Sequence, residues 1–232
     1  MPALSPERTD ALIALASRLG REKFAPRAAR YDREASFPFE NYADLREHGL
    51  LGLCIPESCG GLGADYRTYC LVAAEIGRHC GATALTFNMH SCAMMWSGTL
   101  ADDLPMGETL RREHELRRAR HYRRVLDEGA LYAQPFSEGN LAASGKAPFG
   151  TTARKVEGGW RLNGRKVFAS LSGAAHYYGV LCTEEIAGKE PDVRDTLYIA
   201  VDAAAPGVEI TGDRQITSRG DDWWTAWRQF YL

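Results

Sequence analysis

Thr151–Ala169 reads TTARKVEGGWRLNGRKVFA, and two glycine signals divide it. Thr151–Glu157 has strand-like alternation. Gly158-Gly159 then leads straight into Trp160-Arg161-Leu162. Two glycines between such runs predict a hairpin, because primed turns need positive φ at both central residues. Asn163-Gly164 is a second signal of this kind and leads into Arg165–Ala169. Moving outward, Ala130–Phe136 lies upstream, and Tyr177–Thr183, Thr196–Val201 and Val208–Thr211 follow as short strands. Ile186–Arg194, with Gly188 and Pro191, reads as a polar loop. No helix-length segment separates most of these runs, so the pattern predicts an antiparallel, barrel- or sandwich-like sheet.

Before about Asp127 the period is helical. Ser5-Pro6-Glu7 is a helix start, with a hydroxyl cap, proline in the first turn and an early acid. Leu12, Leu15, Ala16 and Leu19 then mark one apolar face. A short helix is predicted from near Pro38, burying Phe39, Tyr42 and Leu45 and stopping at Gly49. Tyr66–His79 turns Tyr69, Val72, Ala73 and Ile76 inward. In Ala82–Ser97 the apolar residues run nearly all round, which predicts a helix surrounded by protein. Glu108–Asp127 holds seven arginines between Arg111 and Arg124, interleaved with Glu113 and Glu115. That run reads as a solvated face carrying i, i+4 pairs in preference to an anion-binding patch. The chain is therefore read as α+β, with a helical domain over 1–128, a β domain over 129–214 and a Trp-rich tail over 215–232.

Composition narrows the function. The chain is 45% hydrophobic and 25% charged with a formal net charge of −2, the profile of a globular protein. A near-neutral balance argues against nucleic-acid or membrane-surface binding. The longest apolar runs, such as Leu50–Ile55, fall far short of the roughly 18–20 residues of a membrane helix. Met1–Asp10 lacks the cationic start and apolar run of a secretory signal. The six cysteines form no CxxC pair, so reduced structural thiols in a cytoplasmic protein, with no metal site, are expected.

Local chemistry motifs are mostly absent. No GxGxxG follows a strand. Gly139–Lys146 imitates a phosphate loop, but its glycines are spaced one residue too far apart and Ala147 stands where a magnesium-binding hydroxyl belongs. No HExxH occurs, and neither Ser137 nor Ser172 sits in GxSxG. Read singly, Phe168 would be a core aromatic, and Ser137 and Ser170 would be turn or surface hydroxyls.

An ordered set of segments nevertheless resembles the acyl-CoA dehydrogenase family over roughly residues 8–212. Gly49–Gly63 is similar to its GLLG-x-x-x-PE-x-x-GGLG segment, in which the glycine-rich end is a chain turn. Asp65-Tyr66 and Ala73–Ile76 fit the helix after it, and Thr83–Thr86 through His90 fit its buried STAL-type helix. His121–Val125 with Gly129-Ala130-Leu131 resembles the lead-in to the middle domain. Thr151-Thr152-Ala153, Gly158–Gly164, Lys166 and Ser172-Gly173-Ala174 match the TTA…GGW-x-LNG-x-K hairpin region, and Pro206-Gly207-Val208 matches a later strand.

The resemblance implies a helical domain followed by a β middle domain, with FAD as cofactor. Its flavin-contacting turn maps onto Phe136, Ser137 and Glu138, and its second contact maps onto Phe168, Ala169 and Ser170. An isoalloxazine needs an apolar face and donors aimed at its heteroatoms, which suits these types. Ser144 is the match for a hydroxyl that meets the acyl-CoA. The implied reaction is α,β-dehydrogenation of an acyl-CoA thioester, in which a base takes the α-proton and a hydride passes to the flavin. Electrons would go on to an electron-transfer flavoprotein or similar acceptor, and the full-length form would be a homo-oligomer.

Three departures stand out. Gly139 replaces the proline of the flavin turn. Ala142-Ala143-Ser144-Gly145 replaces an Ala-Gly-Ser-Asp run and loses the aspartate. The likeness ends near Asp213, before the domain that carries the family's catalytic glutamate, so no catalytic residue is assigned. Trp223, Trp224 and Trp227, three of five tryptophans, follow instead. The expectation is a truncated or frame-shifted reading of a longer gene, testable by resequencing across the stop codon, with weak or no FAD binding and no acyl-CoA oxidation by this chain alone. A flavin monooxygenase-like relative and a non-catalytic, partner-binding fragment are the alternatives.

Overall fold

The computed structural model describes residues 4–98, 102, 104–216 and 227–231, with side chains described only as far as Thr211. The chain divides into two compact units, one up to Leu131 and one from Tyr132 to Ile216.

The first unit is helical: α1 Pro6–Leu19, α2 Ala25–Glu34, α3 Phe39–Glu47, α4 Tyr66–Gly77, α5 Gly81–Ser97 and α6 Glu108–Arg123. Each start has a local cause. Ser5 Oγ accepts from the Arg8 N–H at 3.4 Å, and Asp65 Oδ1 accepts from the Thr68 N–H at 2.8 Å, so both side chains satisfy donors that the helix leaves open. The core holds Leu45, Leu50, Leu53, Ile55, Val72, Ile76, Phe87, Met94 and Val125. Buried polar groups among them are paired: Asn41 Nδ2 donates to Thr83 Oγ1 at 2.8 Å, the Tyr42 hydroxyl donates to Thr86 Oγ1 at 2.9 Å, and His90 Nε2 lies 2.9 Å from the Leu51 carbonyl. Gly60–Gly63 is a chain turn, closed by Leu62 N–H on the Gly52 carbonyl at 3.0 Å and Ala64 N–H on the Leu53 carbonyl at 2.8 Å.

Three helical expectations change. Phe39 is exposed, while Tyr42 and Leu45 of the same helix are buried. α5 is not wholly surrounded within its unit, because Leu85 and Trp96 remain exposed on it. α2 has no counterpart in the periodicity; a π-helical turn over Gly20–Phe24 carries α1 into it. The arginine run is solvated in part: Arg117 makes an exposed i, i+4 pair with Glu113 at 2.9 Å, whereas Arg118 is largely buried and held by Glu115 at 2.7 Å and Asp102 at 2.5 Å.

The second unit is built on β4 Tyr177–Glu184. β5 Thr196–Asp202 pairs antiparallel along its whole length, from Tyr177↔Asp202 to Thr183↔Thr196. On the other edge two short strands lie end to end, both parallel to β4: β1 Tyr132–Ala133 at Tyr177–Tyr178, and β2 Thr152–Val156 at Thr183–Glu184. β3 Gly159–Asn163 pairs antiparallel with β2. The sheet is therefore mixed, a correction to the antiparallel expectation. Parallel partners need a crossover of about a dozen residues or more, and residues 157–176, made of β3 and the irregular 164–176 segment, supply it between β2 and β4. β6 Gly212–Ile216 and β7 Trp227–Tyr231 form a separate two-stranded sheet.

Turn details differ as well. Val156 pairs with Gly159, so the hairpin turn is Glu157-Gly158 and Gly159 already belongs to β3. Arg165–Ala169 is no strand and makes a single bridge, Ser137↔Val167. Val208–Thr211 is not a strand either; the strand begins at Gly212. Trp223 and Trp224, and hence the tryptophan cluster of the tail, lie outside the described residues.

Asn163-Gly164 was expected to turn a hairpin, but Gly164 is needed there for space. A Cβ on it would sit 2.3 Å from Thr151 Oγ1 and 2.6 Å from Thr151 Cα. Backbone is among the obstacles, so a side chain forces the start of β2 to shift. Gly164→Ala is expected to cost about 1–3 kcal/mol, the range for overpacking. Urea unfolding followed by Trp160 emission would measure it.

Candidate functional site

Because β1 and β2 meet only the two ends of β4, the Gly179–Cys182 stretch of that edge has no strand beside it among the described residues. Lys166 covers it. Its Nζ donates to the Leu181 carbonyl at 2.6 Å and to Glu138 Oε1 at 2.6 Å, and lies 4.4 Å from the centre of the Phe149 ring. The two side chains are only 3% and 5% exposed. Glu138 is saturated in turn: Oε2 accepts from the Gly150 N–H at 2.7 Å and Oε1 from the Thr151 N–H at 2.9 Å. Burial opposes ionisation of the Glu138 carboxyl, but Lys166 and the Thr151 donors outweigh it and hold the group below its ordinary value. Burial likewise pulls the Lys166 ammonium below its usual value, partly offset by Glu138. Geometrically the two form a buried ion pair.

One residue from each partner the chain forms an edge. The Val167 N–H donates to the Ser137 carbonyl at 2.8 Å, setting Phe136–Glu138 antiparallel to the segment after Lys166. Phe168 then takes φ 57, a left-handed value costly for a residue with a side chain, and its ring stays 48% exposed. A tight turn follows, with Ser170 N–H on the Phe168 carbonyl at 3.0 Å and Ser172 N–H on the Ala169 carbonyl at 3.1 Å. Ser172 Oγ is buried without a hydrogen-bond partner.

The sequence-derived residues thus separate. Ser137 and Phe168 lie side by side on this edge. Phe136 packs against the cluster of Ala142, Phe149 and Leu181, so its ring belongs to the core. Ala169 is fully buried and Ser170 nearly so, backbone included, so the two shape the turn behind Phe168 and present no exposed surface of their own. Ser144 lies on an exposed turn, Ala142–Ser144, with its hydroxyl donating to the Leu141 carbonyl at 2.7 Å. The sequence reading gave Lys166 no role beyond a motif match; its partner is 28 positions away, and no local pattern connects the two.

A cavity of about 410 Å³ opens beside this ion pair, between the β2–β3 hairpin, β4 and β5 and residues 205–209, with Lys166, Thr151, Trp160, Leu162, Val180 and Val201 among its walls. None of the sequence-derived site residues lines it. Among the described residues, no group of three His, Cys, Asp or Glu could hold a metal ion, and no helix is long and apolar enough to cross a membrane.

Residues 6–101 match the family model of the acyl-CoA dehydrogenase N-terminal domain. An acyl-CoA dehydrogenase of Bacillus subtilis is 30% identical over 158 residues, which is 68% of this chain and 38% of that protein. Butyryl-CoA dehydrogenase from Megasphaera elsdenii superposes with a TM-score of 0.73 at 20% identity, over 99% of this chain and 56% of that one. Dibenzothiophene monooxygenase from a Paenibacillus species, crystallised with FMN, gives 0.66 at 22% identity over 85% and 45%. The chain spans less than half the length of the curated relatives it matches. With the family model over its helical unit, curated relatives that extend beyond that model and the fold of the whole in agreement, the chain belongs to the acyl-CoA dehydrogenase family.

Proposed function

We propose that the Ser137–Phe168 edge is the flavin-facing edge of an acyl-CoA dehydrogenase-type oxidoreductase. Phe168 carries the reading. An aromatic ring in a left-handed conformation, nearly half exposed, is doubly unfavourable for a structural residue, and such strain gathers where a ligand is met. Phe168 would supply an apolar surface for the ring system. Ser137 would supply a polar contact and Ser144 a contact to the substrate, while the buried Ala169 and Ser170 would hold the turn that presents Phe168. Bound there, a flavin supplies two-electron redox chemistry. An acyl-CoA thioester as substrate belongs to the same proposal by analogy with the named relatives, and FAD as the form bound and an electron-transfer flavoprotein as acceptor belong to it by the family resemblance.

Glu138 is the one acid in the two edge segments, and it is engaged by Lys166 and two backbone donors. It orders the edge and is not free to remove a proton. A second reading, a flavin monooxygenase on a thioester-free substrate, draws support from the monooxygenase among the solved neighbours. Substrate-dependent oxygen consumption without an acyl-CoA would favour it.

Phe168→Gly separates function from folding. Glycine relieves the left-handed strain but loses the ring and gains backbone freedom, so stability should change by no more than about 1 kcal/mol. Quenching of added FMN or FAD fluorescence, in contrast, should fall to the level of a non-binding control. Unchanged quenching by Phe168→Gly would remove Phe168 from the site.

A further inference from the structure

Four backbone segments meet at one charge pair: 137–138, 150–151, 166–167 and Leu181 of β4. The gap in the β4 edge is what makes the meeting possible. Leu181 presents its carbonyl where neither β1 nor β2 reaches, and an ammonium fills the place a strand N–H would take. The same ammonium fixes Glu138, whose two oxygens in turn fix the start of β2. Ser137 and Val167 are the immediate neighbours of the pair, and their single bridge is the only ladder contact that this edge has among the described residues.

A lone bridge is a weak constraint on register. Each short neighbouring strand, by contrast, is tied into the sheet by a ladder of two or more residue pairs. We infer that Lys166, acting through Glu138, is a positioning residue that sets Ser137 against Val167 and so holds Phe168 in its exposed, left-handed place. The functional half of this inference rests on the flavin reading above. The register half does not.

A buried pair could equally serve general stability, and the two roles predict different patterns of loosening. Amide hydrogen exchange resolved by residue separates them, using Lys166→Met and the neutral pair Glu138→Gln with Lys166→Met. The double variant keeps a folded protein available, because it leaves no unpaired buried charge. In both variants the Val167, Gly150 and Thr151 amides should exchange about tenfold faster or more, while the Tyr177–Asp202 end of the β4–β5 ladder keeps its wild-type protection. Flavin quenching should be lost in the same variants under conditions where far-ultraviolet dichroism shows them folded.

An unchanged Val167 amide in the folded double variant overturns the inference, and so does a uniform rise across the whole unit. If the wild-type chain quenches neither FMN nor FAD even at flavin concentrations high enough to register weak binding, the flavin reading fails. The claim that Lys166 positions a flavin edge goes with it, and the Val167 result alone then decides whether the register is set by the pair.

Discussion

No dye reduction above background is expected when the purified chain is mixed with FAD and short, branched or long acyl-CoAs. Removal of an acid α-proton needs a carboxylate free to accept it. Along the candidate edge the only acid is Glu138, and its oxygens already take an ammonium and two backbone N–H groups. Its lowered pKa makes it a poorer base still. General-base catalysis is worth about 10²–10⁴-fold, so a site without it falls below the detection limit of such an assay. Turnover that survives Glu138→Gln would show that a base lies outside this edge. Turnover abolished by Glu138→Gln, in a variant that stays folded, would show that the ion pair opens and that Glu138 itself is the base.

Glu138→Gln is also the substitution with the largest expected cost in stability, about 3–5 kcal/mol, because it strands the Lys166 ammonium in a site 3% exposed. Chemical denaturation would measure it. Replacing both partners with neutral residues should recover most of the loss, since the pair itself balances attraction against the cost of dehydrating two charges. The pH dependence has a definite sign. The folded carboxyl titrates below its ordinary 4.5, so its contribution is complete above that value and is lost as pH falls through the lower, folded one. Glu138→Gln should flatten the acid limb of the stability curve. Equal acid sensitivity in wild type and variant would mean that the pair contributes nothing to it.

What the sequence revealed depended on how local the cause was. α1 and α4 follow from a capping side chain and an apolar face, and both causes lie within a few positions of the result. α2 is hidden because no apolar face is traced between Leu19 and Pro38, although Pro26 in its first turn is compatible with the helix that begins at Ala25. Strand runs were legible at β2, β4 and β5, where alternation or an apolar run is itself the signal. Strand direction was not. It is set by the long connections that carry the chain from β1 and from β2 to the same edge of β4, and their irregular stretches over 134–151 and 164–176 have no periodicity to read.

The candidate site shows the same division. Ser137 and Phe168 were marked by resemblance, but their adjacency comes from one bridge between positions 30 apart in the sequence. Phe168 taken alone reads as core, since nothing local announces a left-handed backbone at an aromatic residue. Phe136 was assigned to the site with its neighbours, although the alternation of the chain sends its ring into the core beside Phe149. Lys166 and Glu138 had no shared signature at all. A long-range pair in a gap between two strands exists only once the sheet has formed.

The account's central claim is that flavin meets the chain at Ser137 and Phe168. Its most direct test is a residue-resolved NMR titration of the ¹⁵N-labelled chain with FMN and with FAD, carried to high concentration so that weak binding still registers. The account predicts saturable shifts concentrated at Ser137, Val167, Phe168, Ala169 and Ser170, reduced in Phe168→Gly, with Trp160, Leu162 and Val201 on the walls of the neighbouring cavity unmoved. Shifts confined to that cavity, or none at either place, would contradict it.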